Sequence, residues 1–109
     1  MGAVGMKRGE VWWARLPSPA WRRPVVLVSR DASYAVRAAV TVVEVSRTIR
    51  GIPSEVPLGK REGLTKRCVA NADNLVTIPK AWLESRIGLL SSEKIEALDE
   101  ALSFAIALV

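Results

Sequence analysis

The sequence predicts a mainly β domain, a small antiparallel barrel or sandwich, that ends in one helix. Three observations support this: short β-forming runs fill the first two-thirds of the chain, prolines and glycines separate them, and helical apolar periodicity begins only near residue 91. A chain of 109 residues suits one domain. We assign residues 6–109 to that domain and treat residues 1–5 as an N-terminal extension or an expression remnant.

Six segments are strand candidates, separated by turn-forming residues. Their bounds are 10–16, 24–29, 38–46, 54–58, 67–71 and 74–78. The segment at 24–29, PVVLVS, is rich in β-branched residues, which predicts a strand that is buried on both faces. Gly59 and Gly63 lie in a basic connection, GKREGLTKR, which we expect to be mobile.

The C-terminal part changes character. A short helical turn is predicted near Pro79, a short strand at 86–90, and a final helix from about Ser91, whose hydroxyl is a suitable N-cap. The apolar residues of this helix form two neighbouring stripes. The stripe expected to cover one end of the barrel consists of Ile95, Leu98, Leu102, Ala105 and Ile106. The stripe expected to contact a second copy in a homodimer consists of Ala101, Phe104 and Leu108.

The chain lacks residues that several chemistries require. Cys68 is the only cysteine, so no intrachain disulfide or thiolate zinc site can form, and a reducing cytoplasm is the expected compartment. There is no histidine, and the eleven carboxylates form no recognisable cation-binding loop. We therefore expect neither a metal nor another cofactor. No stretch of about 18 residues lacks charges, so no membrane span is expected.

The net charge of +5 is unevenly distributed. Residues 1–67 hold thirteen Lys and Arg against five Asp and Glu, a sum of +8, whereas residues 68–109 hold three against six, a sum of −3. A basic N-terminal part suggests an anionic partner, most commonly a nucleic acid. A solvated basic surface that aids solubility explains the charge equally well.

Five blocks of sequence carry a resemblance to a known family. They are KRGEVWWARLP, RRPVVLVSRD, TVVEVSRTIRG, VANADNLVTI and RIGLLSSEKIEALDEAL, and in order and spacing they resemble the MazF/PemK family of toxin-antitoxin endoribonucleases. The likeness extends over nearly the whole chain from Lys7. It implies a small SH3-like β-barrel with a C-terminal helix, a homodimer, metal-independent cleavage of single-stranded RNA at a short recognition sequence, and neutralisation by a cognate antitoxin. Together with the basic loops, it suggests that an acidic antitoxin segment is the inhibitor.

The same resemblance implies two catalytic residues. The arginine directly before the proline of the second strand corresponds to Arg23, and the hydroxyl residue at the end of the third strand corresponds to Ser46, where threonine is more frequent in the family. The loop PSPAWRR is shorter than usual and lacks a glycine- and glutamate-containing segment. A carboxylate that could accept a proton is therefore missing from that loop.

The chemistry can also be argued from the residues. Without a metal or a water nucleophile, the ribose 2′-hydroxyl attacks its own phosphorus and leaves a 2′,3′-cyclic phosphate and a 5′-hydroxyl. Arginine is a planar cation with a pKa above about 12, so Arg23 suits a stabiliser of the transition state or an acid better than a base. Ser46 would hold a phosphate oxygen or orient the 2′-hydroxyl. The identity of the base remains open.

Further residues are candidates for RNA contact, although each is also explained without RNA. Trp21 suits stacking on a base or anchoring its own loop, and Arg22 suits a phosphate contact. The basic loops contribute Arg47, Thr48, Arg50, Lys60, Arg61, Lys66 and Arg67, which singly are ordinary solvated residues. Asn71 and Asn74 border a predicted turn that they could cap. Of the two adjacent tryptophans, Trp12 and Trp13, at least one is expected in the core, and we assign Trp13 a structural role.

Two other functions remain as alternatives. A CcdB-like toxin shares the barrel but poisons gyrase through a Trp-Gly-Ile terminus, and the terminus FAIALV lacks that sequence. A non-catalytic nucleic-acid-binding barrel would explain the charge without requiring Arg23 to lie near Ser46. Only a test of cleavage separates this alternative from a ribonuclease.

Overall fold

The structure, a computed structural model, describes residues 5–19 and 21–108, so residues 1–4 of the predicted extension lie outside the described residues. Six strands form one antiparallel sheet in the order β4-β5-β3-β2-β1-β6. Their bounds are β1 (Glu10–Arg15), β2 (Arg22–Leu27), β3 (Ala39–Ser46), β4 (Glu55–Leu58), β5 (Cys68–Pro79) and β6 (Leu83–Leu89). The sheet is curled into a half-barrel with one C-terminal helix, α1 (Ser92–Ala105), which confirms the predicted fold class.

Strand β2 is buried on both faces, as its sequence predicted. Val25, Val26 and Leu27 have no solvent-exposed surface. Because successive side chains point to opposite faces of a sheet, Val26 joins one apolar cluster and Val25 and Leu27 join the other. The chain therefore builds two small cores, one on each side of the sheet.

Strand β5 is continuous where the sequence predicted two strands and a turn. Its register against β3 shifts between Val43, which pairs with Leu75, and Glu44, which pairs with Asn71. The side-chain Oδ1 of Asn71 accepts a hydrogen bond from the backbone N–H of Asp73 at 3.0 Å. The polar residues that suggested a turn therefore form an irregularity within the strand.

The helix begins where the sequence predicted. The Oγ of Ser91 accepts a hydrogen bond from the Lys94 N–H at 3.2 Å, which caps the first turn of α1. Ala101 belongs to the buried face rather than to the outer stripe, and Ile106 is exposed beyond the end of the helix rather than buried. Within residues 5–19 and 21–108, no helix is long and apolar enough to cross a membrane.

The basic connection after β4 is a folded turn rather than the mobile segment that its glycines suggested. Lys60–Glu62 form a 3₁₀ turn, and the buried Glu62 accepts a hydrogen bond from the Gly59 N–H at 2.7 Å. Gly63 has a φ of +92°, and a Cβ there would lie 2.8 Å from the carbonyl oxygen of Ile87. The turn therefore packs directly against β6. The short helical turn predicted near Pro79 is the 3₁₀ turn Lys80–Trp82.

Candidate active site

A groove of about 550 Å³ lies where β2 begins and β3 ends. The surrounding chain includes the loop after β3 and the turn that packs against β6. The lining residues are Trp13, Arg22, Arg23, Pro24, Val45, Ser46, Arg47, Thr48, Gly63, Leu64, Thr65, Lys66 and Cys68. Six of the thirteen residues that the sequence analysis proposed for the site are therefore brought together: Arg22, Arg23, Ser46, Arg47, Thr48 and Lys66.

The groove is lined by four cations, two of which are paired with carboxylates that do not line it. Arg22, Arg23, Arg47 and Lys66 line it, and the lining residues include no carboxylate. Trp13, Pro24, Val45 and Leu64 supply an apolar wall beside these cations. Such a surface suits a chain that alternates phosphates with flat apolar bases. Within the described part of the chain, no three His, Cys, Asp or Glu side chains are grouped as metal ligands would be.

The side chains of Arg22 and Arg23 lie on opposite faces of the sheet, because they are consecutive residues of one strand. The Arg22 guanidinium carbon lies 4.1 Å from the centroid of the Trp13 ring, and its Nε lies 2.6 Å from Oε1 of Glu84. The Nη1 of Arg23 instead lies 3.4 Å from Oε1 of Glu44. The two arginines thus have different partners and different surroundings.

Strand pairing brings Arg23 close to Ser46. The ladder between β2 and β3 starts with Val25 opposite Glu44, directly after Pro24, which has no N–H to donate. Continued by two residues along each strand, the same register places Arg23 opposite Ser46. The Oγ of Ser46 accepts a hydrogen bond from the Thr48 N–H at 3.1 Å, which fixes the hydroxyl where β3 ends.

Seven of the predicted site residues do not line the groove. Five are charged or polar side chains on exposed positions: Arg50, Lys60, Arg61, Arg67 and Asn74. Trp21 is 68% exposed and directly precedes Arg22, with a positive φ of 57°, which is uncommon for a bulky residue. Asn71 is buried, and its side-chain oxygen accepts a hydrogen bond from the backbone N–H of Asp73, so it stabilises the irregularity in β5 rather than a turn.

Several residues at or beside the groove were not predicted from the sequence. Trp13, assigned a structural role, is half-buried and also lines the groove beneath Arg22. Glu84 accepts hydrogen bonds from Arg22 and Arg15. These hydrogen bonds lower the pKa of its carboxyl group, and the one from Arg22 has the larger effect. No local motif marks Glu84, because its partners come from distant parts of the sequence through the pairing of β6 with β1 and of β1 with β2.

The fold and the groove together define a class: small β half-barrels with a cationic groove suited to a phosphodiester chain. The family model of the PemK-like, MazF-like toxins of type II toxin-antitoxin systems matches residues 7–106, and the chain belongs to this family. This confirms the resemblance seen in the sequence.

Relatives and solved structures agree with this assignment. The chain is 36% identical over 100 residues to the probable endoribonuclease MazF5 of Mycobacterium tuberculosis, covering 91% of each chain. It is 36% identical over 83 residues to endoribonuclease MazF3 of the same species, covering 76% of this chain and 81% of the relative. The structure of M. tuberculosis toxin MazF-mt6 superposes with a TM-score of 0.84 at 33% identity, covering 90% of this chain and 96% of that one.

A second solved structure is a mycobacterial endoribonuclease in complex with its cognate antitoxin. It superposes with a TM-score of 0.83 at 28% identity, covering 96% of this chain and 98% of that chain. The likeness therefore extends over nearly the full length of both proteins.

Proposed function

We propose that this chain, an endoribonuclease toxin of its family, cleaves single-stranded RNA without a metal, by attack of a ribose 2′-hydroxyl on the adjacent phosphorus. The products are a 2′,3′-cyclic phosphate and a 5′-hydroxyl. The observation that carries the proposal is the placement of Arg23 and Ser46 across neighbouring strands in one groove with three further cations. Such a site supplies positive charge where the pentavalent phosphorane gains negative charge.

Arg23 is the proposed stabiliser of the transition state and the acid. Its planar guanidinium presents several N–H donors, which match the oxygens of a phosphorane, and it can protonate the 5′-oxygen as that oxygen leaves. Loss of a preorganised donor to such a developing charge typically lowers kcat by about 10²–10³-fold. Ser46 is the proposed partner, because its own hydrogen remains to donate to a phosphate oxygen while Oγ accepts from Thr48.

RNA contact is proposed to involve the groove and the exposed Trp21, which directly precedes the groove residue Arg22. Arg22, Arg47 and Lys66 neutralise phosphates that flank the cut site, and Thr48 adds a hydroxyl. Trp21 is exposed directly beside Arg22, where a splayed base could stack on its ring. These contacts favour a single strand, because a base can reach an aromatic side chain only when it is unpaired.

Two protein partners complete the proposal. A cognate antitoxin would neutralise the toxin by laying an acidic segment along the cationic groove, and the related endoribonuclease solved with its cognate antitoxin is the precedent. A second copy of the chain would cover the exposed Phe104 and Leu108 near the end of α1. Light scattering at micromolar concentration should then report a dimer, and a strict monomer would contradict this contact.

The test is incubation of a long RNA with the purified protein in excess EDTA, followed by mapping of 5′-hydroxyl ends. Wild-type protein should cut at a short recurring sequence, and Arg23→Ala should lose this cutting. Arg61→Ala, which changes an exposed arginine outside the groove, is the matched control and should cut like wild type. Equal cutting by wild type and Arg23→Ala would contradict the assigned site. Binding without any cutting would favour a non-catalytic binding domain.

A further inference from the structure

Glu44 is an unusual residue for its position. It is the only charged residue of β3, whose other members are Ala39, Ser46, Thr41 and valines, and its side chain is only 22% exposed. A partly buried carboxylate in a strand between two others loses hydration that a valine would not need. Within residues 5–19 and 21–108, the Arg23 guanidinium is the only hydrogen-bonding partner of this carboxylate. Formation of the strand therefore does not require a carboxylate at position 44, and the presence of Glu44 needs another explanation.

Sheet geometry places Glu44 with the two proposed catalytic residues. Glu44 and Ser46 are two residues apart in β3, so their side chains lie on the same face. Arg23 lies on this face as well, since it is two residues before Val25, which pairs with Glu44. The contact of 3.4 Å between Arg23 Nη1 and Glu44 Oε1 agrees with this arrangement. A cation, a hydroxyl and a carboxylate thus lie together at one end of the sheet. Arg23 and Ser46 line the groove, and Glu44, which is not among the lining residues, adjoins it through its contact with Arg23.

We propose that Glu44 is the proton acceptor of the cleavage reaction, an inference that rests on the proposed function. In the step, a Glu44 oxygen takes the proton of the 2′-hydroxyl while the 2′-oxygen forms its bond to phosphorus. The bond between phosphorus and the 5′-oxygen breaks, and the 5′-oxygen takes a proton from Arg23. Glu44 thereby supplies from β3 the carboxylate that the short loop before β2 lacks.

The contact between Arg23 and Glu44 also allows both side chains to return to their starting protonation states. After cleavage the carboxyl group of Glu44 holds one extra proton and the guanidinium of Arg23 lacks one. Because arginine binds a proton far more tightly than glutamate does, the proton passes from Glu44 to Arg23. Over the cycle, the 2′-hydroxyl loses one proton and the 5′-hydroxyl gains one, so the reaction needs no other reactant.

The experiment compares Glu44→Gln with wild type on two forms of one RNA that contains the mapped cut site. In the first form the leaving atom is the natural 5′-oxygen. In the second it is sulfur, which leaves as a thiolate and needs no acid because thiols ionise near pH 8.5. Single-turnover rates are measured on both. Glu96→Gln, on the exposed side of α1, is the matched control and should keep the wild-type rate.

The proposal predicts that Glu44→Gln cuts both substrates about 10²–10⁴-fold more slowly than wild type, the usual contribution of a general base. Glu44→Asp, which keeps a carboxylate, should recover part of this rate. Circular dichroism should show that both variants fold, since the changes are small and the site is partly exposed. A loss on the sulfur substrate would show that Glu44 does not act only through the acid, because that substrate needs none.

Two outcomes would overturn the assignment. If Glu44→Gln cuts the natural substrate within about threefold of wild type, Glu44 is not the base, while the proposed function stands. If Glu44→Gln is slow on the oxygen substrate but matches wild type on the sulfur substrate, Glu44 acts only by positioning Arg23 as the acid. Failure of the wild-type protein to cut either substrate is a different result, which would overturn the proposed function itself.

Discussion

The guanidinium group of Arg22 lies over the ring of Trp13, with its central carbon 4.1 Å from the ring centroid. Arg22 is also paired with Glu84, so its side chain is held on the face of the sheet that bears Trp13. Arg23, the next residue, lies on the other face and contacts Glu44. Two adjacent arginines that look equivalent in the sequence therefore have separate places in the groove.

We expect the two arginines to differ when each is replaced by alanine. Arg23→Ala should lower kcat by about 10²–10³-fold with a small change in KM, because Arg23 is proposed to act on the transition state. Arg22→Ala should mainly raise KM, because a phosphate contact contributes equally to the ground state and the transition state. Steady-state kinetics on a short RNA measures both constants. Equal losses of kcat in the two variants would contradict the separation of roles.

Ser46 should depend on its hydroxyl rather than on its size. Ser46→Ala removes a hydrogen bond to a charged phosphate oxygen, which contributes about 1.5–3 kcal/mol, so kcat/KM should fall by about 10–150-fold. Ser46→Thr keeps the hydroxyl and should remain within a few-fold of wild type. If the threonine variant is as slow as the alanine variant, the hydroxyl at position 46 has no such role.

Binding of RNA should weaken steeply with salt. Each phosphate neutralised on a single strand contributes a slope of about −0.7 to the logarithm of affinity against the logarithm of salt concentration. Lys66 lines the groove, so Lys66→Ala should make the slope shallower by about 0.7. Lys60→Ala changes an exposed lysine outside the groove and is the matched comparison. Fluorescence titrations measure both slopes, with Arg23→Ala present in every protein to prevent cleavage. Equal changes of slope in the two lysine variants would place the RNA outside the groove.

Tyr34 gives a pH-dependent contribution to stability that can be followed directly, because it is the only tyrosine. Its side chain is 1% exposed, and burial, reinforced by Asp31, raises its pKa from the ordinary 10.0 to about 12. The folded state therefore holds the phenolic proton more tightly than the unfolded chain does. This contribution to stability is fully present below pH 10 and is lost as the pH rises towards 12.

Ultraviolet titration of tyrosinate should accordingly show a midpoint near pH 12, or coincide with alkaline unfolding below that value. In Tyr34→Phe this absorbance change disappears, and the part of the alkaline loss of stability that comes from the phenol disappears with it. A reversible midpoint near pH 10 in folded wild-type protein would show that the ring is not buried.

The turn beside the groove should be sensitive to one added methyl group. A Cβ at Gly88 in β6 would collide with the carbonyl oxygen of Glu62, which belongs to the backbone of that turn. Gly88→Ala should therefore destabilise the protein by about 1–3 kcal/mol and weaken activity, because the residues after the turn line the groove. Gly59→Ala meets no atom within 4 Å and is the matched control. Thermal unfolding distinguishes the two, and equal stability would contradict the packing of the turn on β6.

Local signals in the sequence were sufficient to predict part of the fold. Ser91 identified the start of the helix because a cap acts on residues only three positions away. The β-branched run at 24–29 predicted burial on both faces, which the two apolar clusters confirm. The family and the fold class were recognisable because five blocks in order constrain the whole chain.

What the sequence could not supply depends on contacts between distant strands. Glu84 reaches Arg22 across a separation of 62 residues, and Glu44 reaches Arg23 only through the pairing of β2 with β3. The irregularity in β5 cannot be distinguished from a turn by its sequence, because the same polar residue types occur in both. The resemblance points to the loop next to Arg23 for a carboxylate, whereas the structure places carboxylates from elsewhere in the sheet beside both arginines.

In the proposed mechanism the nucleophile belongs to the RNA, and Arg23 and Ser46 act on the phosphorus that it attacks. The most direct measurement is cleavage of an RNA in which only the ribose on the 5′ side of the mapped cut site is replaced by 2′-deoxyribose. Cutting at that bond should be abolished while binding of the substrate is retained. Continued cutting at the same bond would contradict this mechanism.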